Sequence, residues 1–163
     1  MRESESYEEY AQIVVKSVYE RVEKSKPIKT SCGGNSKRVG ESGFEHQIDV
    51  ILEGEEDLIL GECKCWNKKI PTNQILTFIA RVIDIKPTYS GNIHPVMFTT
   101  VGYDPGTKKL AEHFGIDLQY ASDGESFSFF YKNNLVIKPK PASASSSTNC
   151  NVLKKDKDGN EIE

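Results

Sequence analysis

Two short apolar runs separated by an acidic turn constrain this chain more than anything else in it. Phe44 to Leu52 (FEHQIDVIL) places Phe44, Ile48, Val50 and Leu52 on one side and Asp49 on the other, the alternation of a half-buried strand. Leu58 to Cys65 (LILGECKC) is a second such run, and Gly54-Glu55-Glu56-Asp57 between them has the composition of a turn. A hairpin turning there sets Val50 opposite Gly61 and Leu52 opposite Ile59. Continuing that register sets Ile48 opposite Cys63 and Asp49 opposite Glu62. Directly opposed residues of an antiparallel pair hold their Cβ atoms roughly 4.5 to 5.5 Å apart, so two carboxylates placed there repel unless a divalent cation lies between them. Lys64 shares the face of Glu62 because side-chain direction repeats every two residues, and it falls opposite Gln47, with Glu45 next along. One hairpin is therefore expected to carry a core face and a second face that turns polar toward one end.

With 163 residues the chain can form one domain with a sizeable core, plus a tail. Its net charge of -3 argues against nonspecific coating of nucleic acid but leaves room for a local basic groove. Charge distribution points to where such a groove would lie. Lys24 to Gly40 contains Lys24, Lys26, Lys29, Lys37 and Arg38 and no acid, and Lys64, Lys68 and Lys69 surround or follow the acidic pair. Lys37, Arg38, Lys68 and Lys69 are the candidates to hold a phosphate backbone, with an ordinary solvated face as the alternative. Cys32, Cys63, Cys65 and Cys150 lack the paired spacing of a zinc site, and Cys63 and Cys65 are expected to point into the core as small hydrophobes. The polar N-terminus and the absence of a long apolar stretch fit a cytoplasmic protein with no membrane partner.

Along the chain, Ser6-Tyr7-Glu8-Glu9 has the form of a capping box, and Tyr7, Tyr10, Ala11, Val14, Val18 and Val22 recur at helical spacing. Pro27 to Ser31 reads as a short strand. Cys32 to Gly43 reads as a flexible glycine-rich loop without a phosphate-binding pattern. Thr72 can cap a helix whose Ile75, Leu76, Phe78, Ile79, Val82, Ile83 and Ile85 form a broad apolar surface ending before Pro87. Pro95 to Thr100 reads as a buried strand. Asp104-Pro105 opens a helix with Leu110, Ala111 and Phe114 inward and Gly115 at its end, and Ile116 to Tyr120 is a further strand. This order defines an α/β class with a central mixed β-sheet flanked by helices. Ser126 to Ile137 is expected to be a hairpin turning at Asn133-Asn134, with Phe127, Phe129 and Tyr131 packing in a core or interface rather than stacking on bases. From Lys138 the composition turns to Pro, Ala, Ser and charge, as expected of a disordered tail over residues 138–163. Asp156-Lys157-Asp158-Gly159 matches part of a calcium loop without its distal glutamate, so no calcium role is expected.

With the hairpin in place, Gly43 to Val50 (GFEHQIDV) and Gly61 to Trp66 (GECKCW) resemble the two halves of the PD-(D/E)XK nuclease motif, in its Mrr-like restriction endonuclease branch. Pro95 to Leu118 is similar to the strand, helix and strand that follow the catalytic hairpin in that branch, so the resemblance covers Tyr7 to Tyr120. It implies a restriction-endonuclease-like, three-layer nuclease domain over residues 1–137. It also implies a Mg²⁺-dependent endodeoxyribonuclease, with Mn²⁺ substituting, in restriction or phage defence. Carried over by position, the metal-binding acids fall on Asp49 and Glu62, the lysine on Lys64, and a further metal ligand on the backbone carbonyl of Cys63. Gln47 would help position the attacking water. Glu45 is preferred over Glu9 as the extra acid that some members use, and His46 is read as a structural histidine on the core side. Two positions depart from the family pattern: Ile48 replaces the motif's proline, and Glu62 stands where some members carry glutamine.

The Mrr-like enzymes join this domain to a separate recognition domain, so DNA is the expected partner, together with a targeting domain or subunit and a homodimer as further expectations. Two rivals stay open: a catalytically silent binding or assembly module in which Asp49, Glu62 and Lys64 form a surface salt bridge, and a nuclease acting on branched DNA or RNA.

Overall fold

The structure is a computed structural model that describes residues 3–120, 126–132, 134–139, 151–155 and 161–162, with side-chain surroundings for residues 7–120, 131 and 132. Helix α1 (Glu3–Glu23) buries the stripe Ala11, Val14, Val15 and Val18 completely, because three- and four-residue spacing puts these side chains on one face. After it come β1 (Lys29–Cys32), β2 (Lys37–Val39), β3 (Glu45–Gln47), β4 (Val50–Glu53) and β5 (Asp57–Lys64). Then follow α2 (Thr72–Ile85), β6 (Asn92–Thr99), α3 (Pro105–Phe114) and β7 (Asp117–Tyr120). The C-terminal part adds β8 (Ser126–Tyr131), β9 (Asn134–Pro139), β10 (Asn151–Lys155) and β11 (Glu161–Ile162).

The central sheet has five strands in the order β1-β4-β5-β6-β7. β4 pairs antiparallel with both β1 and β5, whereas β6 runs parallel to β5 and to β7, each parallel step spanning a helix. Helix α1 packs on one face over Val50, Leu52, Ile59, Val96 and Phe98. Helices α2 and α3 pack on the other over Ile51, Leu58, Leu60 and Met97. The class is thus α/β, a mixed sheet between two helical layers. β5 is buried on both sides along its whole length except at Lys64, so its run Leu58-Ile59-Leu60 reads as continuously apolar rather than alternating. Each of those side chains contributes roughly 1.5–3 kcal/mol by leaving water.

Local capping follows the sequence at α3, where Asp104 stands at the N-cap, Pro105 at the first helical position, and Gly115 closes the helix at φ 68°. At α2 it is Pro71 that stands at the N-cap and Thr72 already belongs to the helix. Leu76, Ile83 and Phe114, expected inward, are exposed. Thr107 is buried in α3, donating its hydroxyl to the Ile70 carbonyl at 2.9 Å.

The largest departure lies in the first half of the expected hairpin. Val50 does face Gly61 and Leu52 does face Ile59, but the ladder stops at Val50. Residues before it leave the sheet: β3 pairs with β2 as a separate two-stranded ribbon, and β2 lies within the glycine-rich stretch that reads as a loop. The backbone at the break bonds to the turn at 33–36 instead, the Ile48 N–H to Ser36 O at 3.0 Å and the Gly33 N–H to Asp49 O at 3.0 Å. Ile48 consequently joins the α2 side of the core while Val50 joins the α1 side, and Phe44 is exposed. Cys65 is exposed as well, because β5 ends at Lys64.

The C-terminal strands form a four-stranded antiparallel sheet in the order β11-β10-β9-β8. Asn134 already pairs with Tyr131, so the register is centred one residue earlier than a turn at Asn133-Asn134, and Asn133 lies outside the described residues. Tyr131 is buried against α1, as core packing requires. The side chains of Phe127 and Phe129 lie outside the described residues. Within the expected tail, β9 runs on to Pro139 and pairs with β10. The rest of 138–163 apart from β10 and β11 lies outside the described residues, including the calcium-like stretch 156–159.

Candidate active site

Because β4 starts only at Val50, the C-terminal end of β5 has no antiparallel partner, and its free edge is met by a side chain. The Cys63 N–H donates to Asp49 Oδ2 at 2.8 Å, taking from a carboxylate the bond that a strand would have supplied. N–H and C=O of one strand residue leave by the same edge, so the Cys63 carbonyl emerges beside Asp49. Glu62 points toward α2, in line with Leu60 and Leu58, and is only 5% exposed. Lys64 Nζ donates to Glu62 Oε1 at 2.7 Å and Arg81 Nη1 to Glu62 Oε2 at 3.2 Å.

The electrostatics of this pair are unbalanced toward negative charge. Burial first and the Glu62 carboxylate second push the Asp49 carboxyl up to about 7, against the Cys63 N–H and Lys64, which lower it. Glu8 on α1 also raises Asp49. A Cβ on Gly33 would sit 3.6 Å from Glu8 Oε2, and the Gly33 N–H is bonded to Asp49 O, which places the Glu8 carboxylate at this end of the sheet. Burial, and then Asp49 and Glu62, push the Cys63 thiol well up, so it serves packing and not nucleophilic chemistry.

The residues singled out from the sequence divide accordingly. Asp49, Cys63, Glu62 and Lys64 come together, by a bend and a side-chain bond rather than by the continuous ladder expected. Glu45 and Gln47 do not join them: Glu45 is exposed and bonded to Lys37 Nζ at 3.0 Å, and Gln47 is exposed, with only its backbone carbonyl engaged, by Arg81 at 3.3 Å. The ribbon carries both away once β3 leaves the sheet. Lys37 is tied to Glu45 in that ion pair. Arg38 is also not a free phosphate ligand, since it donates to Glu53 Oε2 at 2.8 Å and lies 5.6 Å from the Tyr89 ring centroid. Lys68 and Lys69 are exposed on the segment leaving Lys64, with Lys68 Nζ 5.6 Å from the Trp66 ring. His46 is structural: its Nε2 lies 2.7 Å from Asp84 Oδ2 and its ring meets Phe44 edge-on.

Two residues escaped sequence reasoning. Glu9 is exposed, and Glu8 is the helix acid that faces the site. Its signal was available, because Glu8 shares a stripe with Ala11 and Val15, and a glutamate on an apolar stripe calls for a polar reason. Arg81 gave a weaker signal, a lone arginine among Phe78, Ile79 and Val82.

Asp49, Glu62 and the Cys63 carbonyl are hard oxygen donors, and two carboxylates pressed together with one raised pKa form a set that a divalent cation relieves. Among the described residues no group of three or more His, Cys, Asp or Glu converges as a dedicated cage. Mg²⁺ is commonly held through one or two carboxylates, its remaining positions filled by water and phosphate oxygens. The donor set fits the ion.

No family model matches the chain, and no curated protein matches it. Solved structures do. AF1548, a protein of unknown function, aligns at 24% identity over 64% of this chain and 55% of its own, with a TM-score of 0.49. A repair endonuclease from Pyrococcus abyssi aligns at 20% identity over 69% and 46%, with a TM-score of 0.45, and EndoMS in apo form at 11% over 68% and 46%, with a TM-score of 0.40. The chain thus spans about half the length of each of these proteins. No helix among the described residues is long and apolar enough to cross a membrane.

Proposed function

We propose that this chain is a Mg²⁺-dependent endodeoxyribonuclease domain of the Mrr-like type, hydrolysing phosphodiester bonds at the free end of β5. The observation that carries this reading is the forced pairing of Asp49 with Glu62: burial and the neighbouring carboxylate push Asp49 up to about 7, with a lysine 2.7 Å from Glu62.

Asp49 and Glu62, with the Cys63 carbonyl, would hold the ion. The ion would polarise the scissile phosphate and lower the pKa of a bound water. Lys64 reaches the same face through a flexible stem, where its ammonium orients the attacking water and offsets charge growing on the phosphate oxygens. Lys68 and Lys69 follow on the same segment and hold the backbone of the bound strand through salt-sensitive contacts that carry no sequence information. Mn²⁺ substitutes as another hard cation of similar preference. A role in restriction or phage defence rests on the likeness of GFEHQIDV and GECKCW to the Mrr-like motif. A homodimer, or a separate targeting domain or subunit, would supply sequence specificity.

The test is a cleavage assay with Mg²⁺ or Mn²⁺ on plasmid, single-stranded and branched DNA and on RNA, run beside metal-binding calorimetry. Cleavage of DNA that Lys64→Ala abolishes while metal still binds supports the reading. Neither cleavage nor metal binding by the wild type discards it in favour of a silent binding module, a reading favoured by the engagement of both Glu62 oxygens by Lys64 and Arg81.

A further inference from the structure

Arg81 sits on α2, where it meets Glu62 and the backbone that leads into Asp49. Its Nη1 donates to Glu62 Oε2 at 3.2 Å and to the backbone carbonyl of Gln47 at 3.3 Å. Gln47 is the last residue of β3, two before Asp49, at the point where the chain bends away from the sheet. One guanidinium nitrogen therefore ties the acid on β5 to the backbone that delivers the acid before β4. One turn further along α2, Asp84 secures the other end of the same ribbon. It accepts from the Ser42 N–H at 2.9 Å and the Ser42 hydroxyl at 2.7 Å, and its backbone carbonyl accepts from the Glu41 N–H at 2.8 Å. The ribbon is thus braced on α2 at both ends, and the Arg81 end is the one next to the site.

The charge placement has a further consequence. The Glu62 side chain is 6% exposed and needs donors for its oxygens. Lys64 supplies one, but a lysine locked onto Glu62 cannot also serve a water or a phosphate. A second donor with a fixed planar fork removes that conflict.

We propose that Arg81 is a positioning residue of the nuclease centre: it holds Glu62 aimed, braces the Gln47 carbonyl so that Asp49 stays at the β5 edge, and thereby frees Lys64 to act on the substrate. This rests on the metal-dependent nuclease reading. An ordinary surface ion pair would bind a single exposed acid, whereas here the acid is buried and the second acceptor is the hinge carbonyl.

The experiment compares wild type, Arg81→Gln, Arg81→Lys and the helix-charge control Lys86→Gln, the last being an exposed lysine just past α2. Mn²⁺ binding is measured by calorimetry, DNA cleavage by kcat and KM, and folding by thermal unfolding. Arg81→Gln is expected to bind Mn²⁺ about tenfold more weakly, the scale of losing a group that orients a metal ligand, and to lose kcat with KM for DNA unchanged. Arg81→Lys restores the charge but cannot reach both acceptors, so it recovers only part of each loss, and Lys86→Gln changes neither. Metal binding by Arg81→Gln as tight as wild type or tighter, or full recovery in Arg81→Lys, overturns the proposal and leaves the nuclease reading intact. Should Arg81→Gln fail to fold, the partial or full recovery in Arg81→Lys decides alone. A wild type that neither binds metal nor cuts overturns the nuclease reading and the Arg81 role with it.

Discussion

The two ends of β5 each bury a carboxylate against cations, and they resolve that burden in opposite ways. At the N-terminal end, Asp57 is 3% exposed, with His94 Nε2 2.7 Å away and Lys132 Nζ at 2.8 Å. Burial pushes its carboxyl up, but the hydrogen bonds from Lys132 and His94 outweigh this and leave it below the ordinary range. Lys132 also reaches Glu23, which accepts from the Tyr131 hydroxyl at 3.0 Å, so this cluster stitches α1, β5, β6 and the β8–β9 turn together. At the C-terminal end, burial and a facing carboxylate leave Asp49 raised to about 7. A carboxylate satisfied by donors stabilises a fold. One held against another acid stores unfavourable free energy that a bound cation can release.

Substitutions at the two ends should therefore separate activity from stability. The largest effect expected is at Asp49: Asp49→Asn should lower metal-dependent cleavage by roughly 10²-fold or more, the scale of losing one group that stabilises transition-state charge. The same change should not destabilise the fold. Because the folded-state pKa of Asp49 lies above its unfolded value, the wild type holds an extra proton when folded between about pH 4 and 7 and loses stability as pH rises through that window. Asp49→Asn should remove this loss, seen as a higher urea midpoint at pH 8 than wild type. A lower midpoint would break the contrast between the two ends.

Asp57→Ala should do the reverse, costing about 2–3 kcal/mol in urea unfolding because it strands Lys132 and His94, a figure reduced from that of a fully buried pair by their partial exposure. Metal binding should not change. The depressed pKa of Asp57 gives stability that is present above its unfolded pKa and lost as pH falls through the lower folded value, so the variant should lack part of the wild type's acid unfolding limb. Gly40→Ala should cost less, about 1–2 kcal/mol, because the new Cβ would lie 1.9 Å from Asp84 Oδ2 and must push the ribbon loop off α2. The smallest effect is on the salt dependence of DNA binding. Lys68→Ala should reduce its log–log slope by about 0.9 if the residue meets one phosphate, whereas Arg38→Ala should leave the slope unchanged and lower stability instead.

Much of this was legible locally. The register of β4 with β5, the stripe on α1, the proline and glycine that bound α3, and the order of elements all follow from periodicity and turn chemistry between near neighbours. Glu62 and Lys64 fall on one side of β5 by the same rule. What failed was continuity. Alternation from Phe44 to Leu52 suggested one strand, yet Lys37–Val39 competes for Glu45–Gln47 as a partner, and a pairing between segments both rich in polar residues leaves no apolar signature. With that ribbon went Glu45, Gln47 and the phosphate-binding role expected of Arg38.

By itself, then, the sequence determined the α/β class, the strand that carries Glu62 and Lys64, and the side those two share, because each depends on spacing along a few residues. Tertiary structure decided how Asp49 reaches Cys63, that Glu8 and not Glu9 faces the acids, and that Arg81 joins them. Those outcomes depend on which segments compete for a strand edge and on how a helix lies across a sheet, and both are set by contacts between residues distant in the chain.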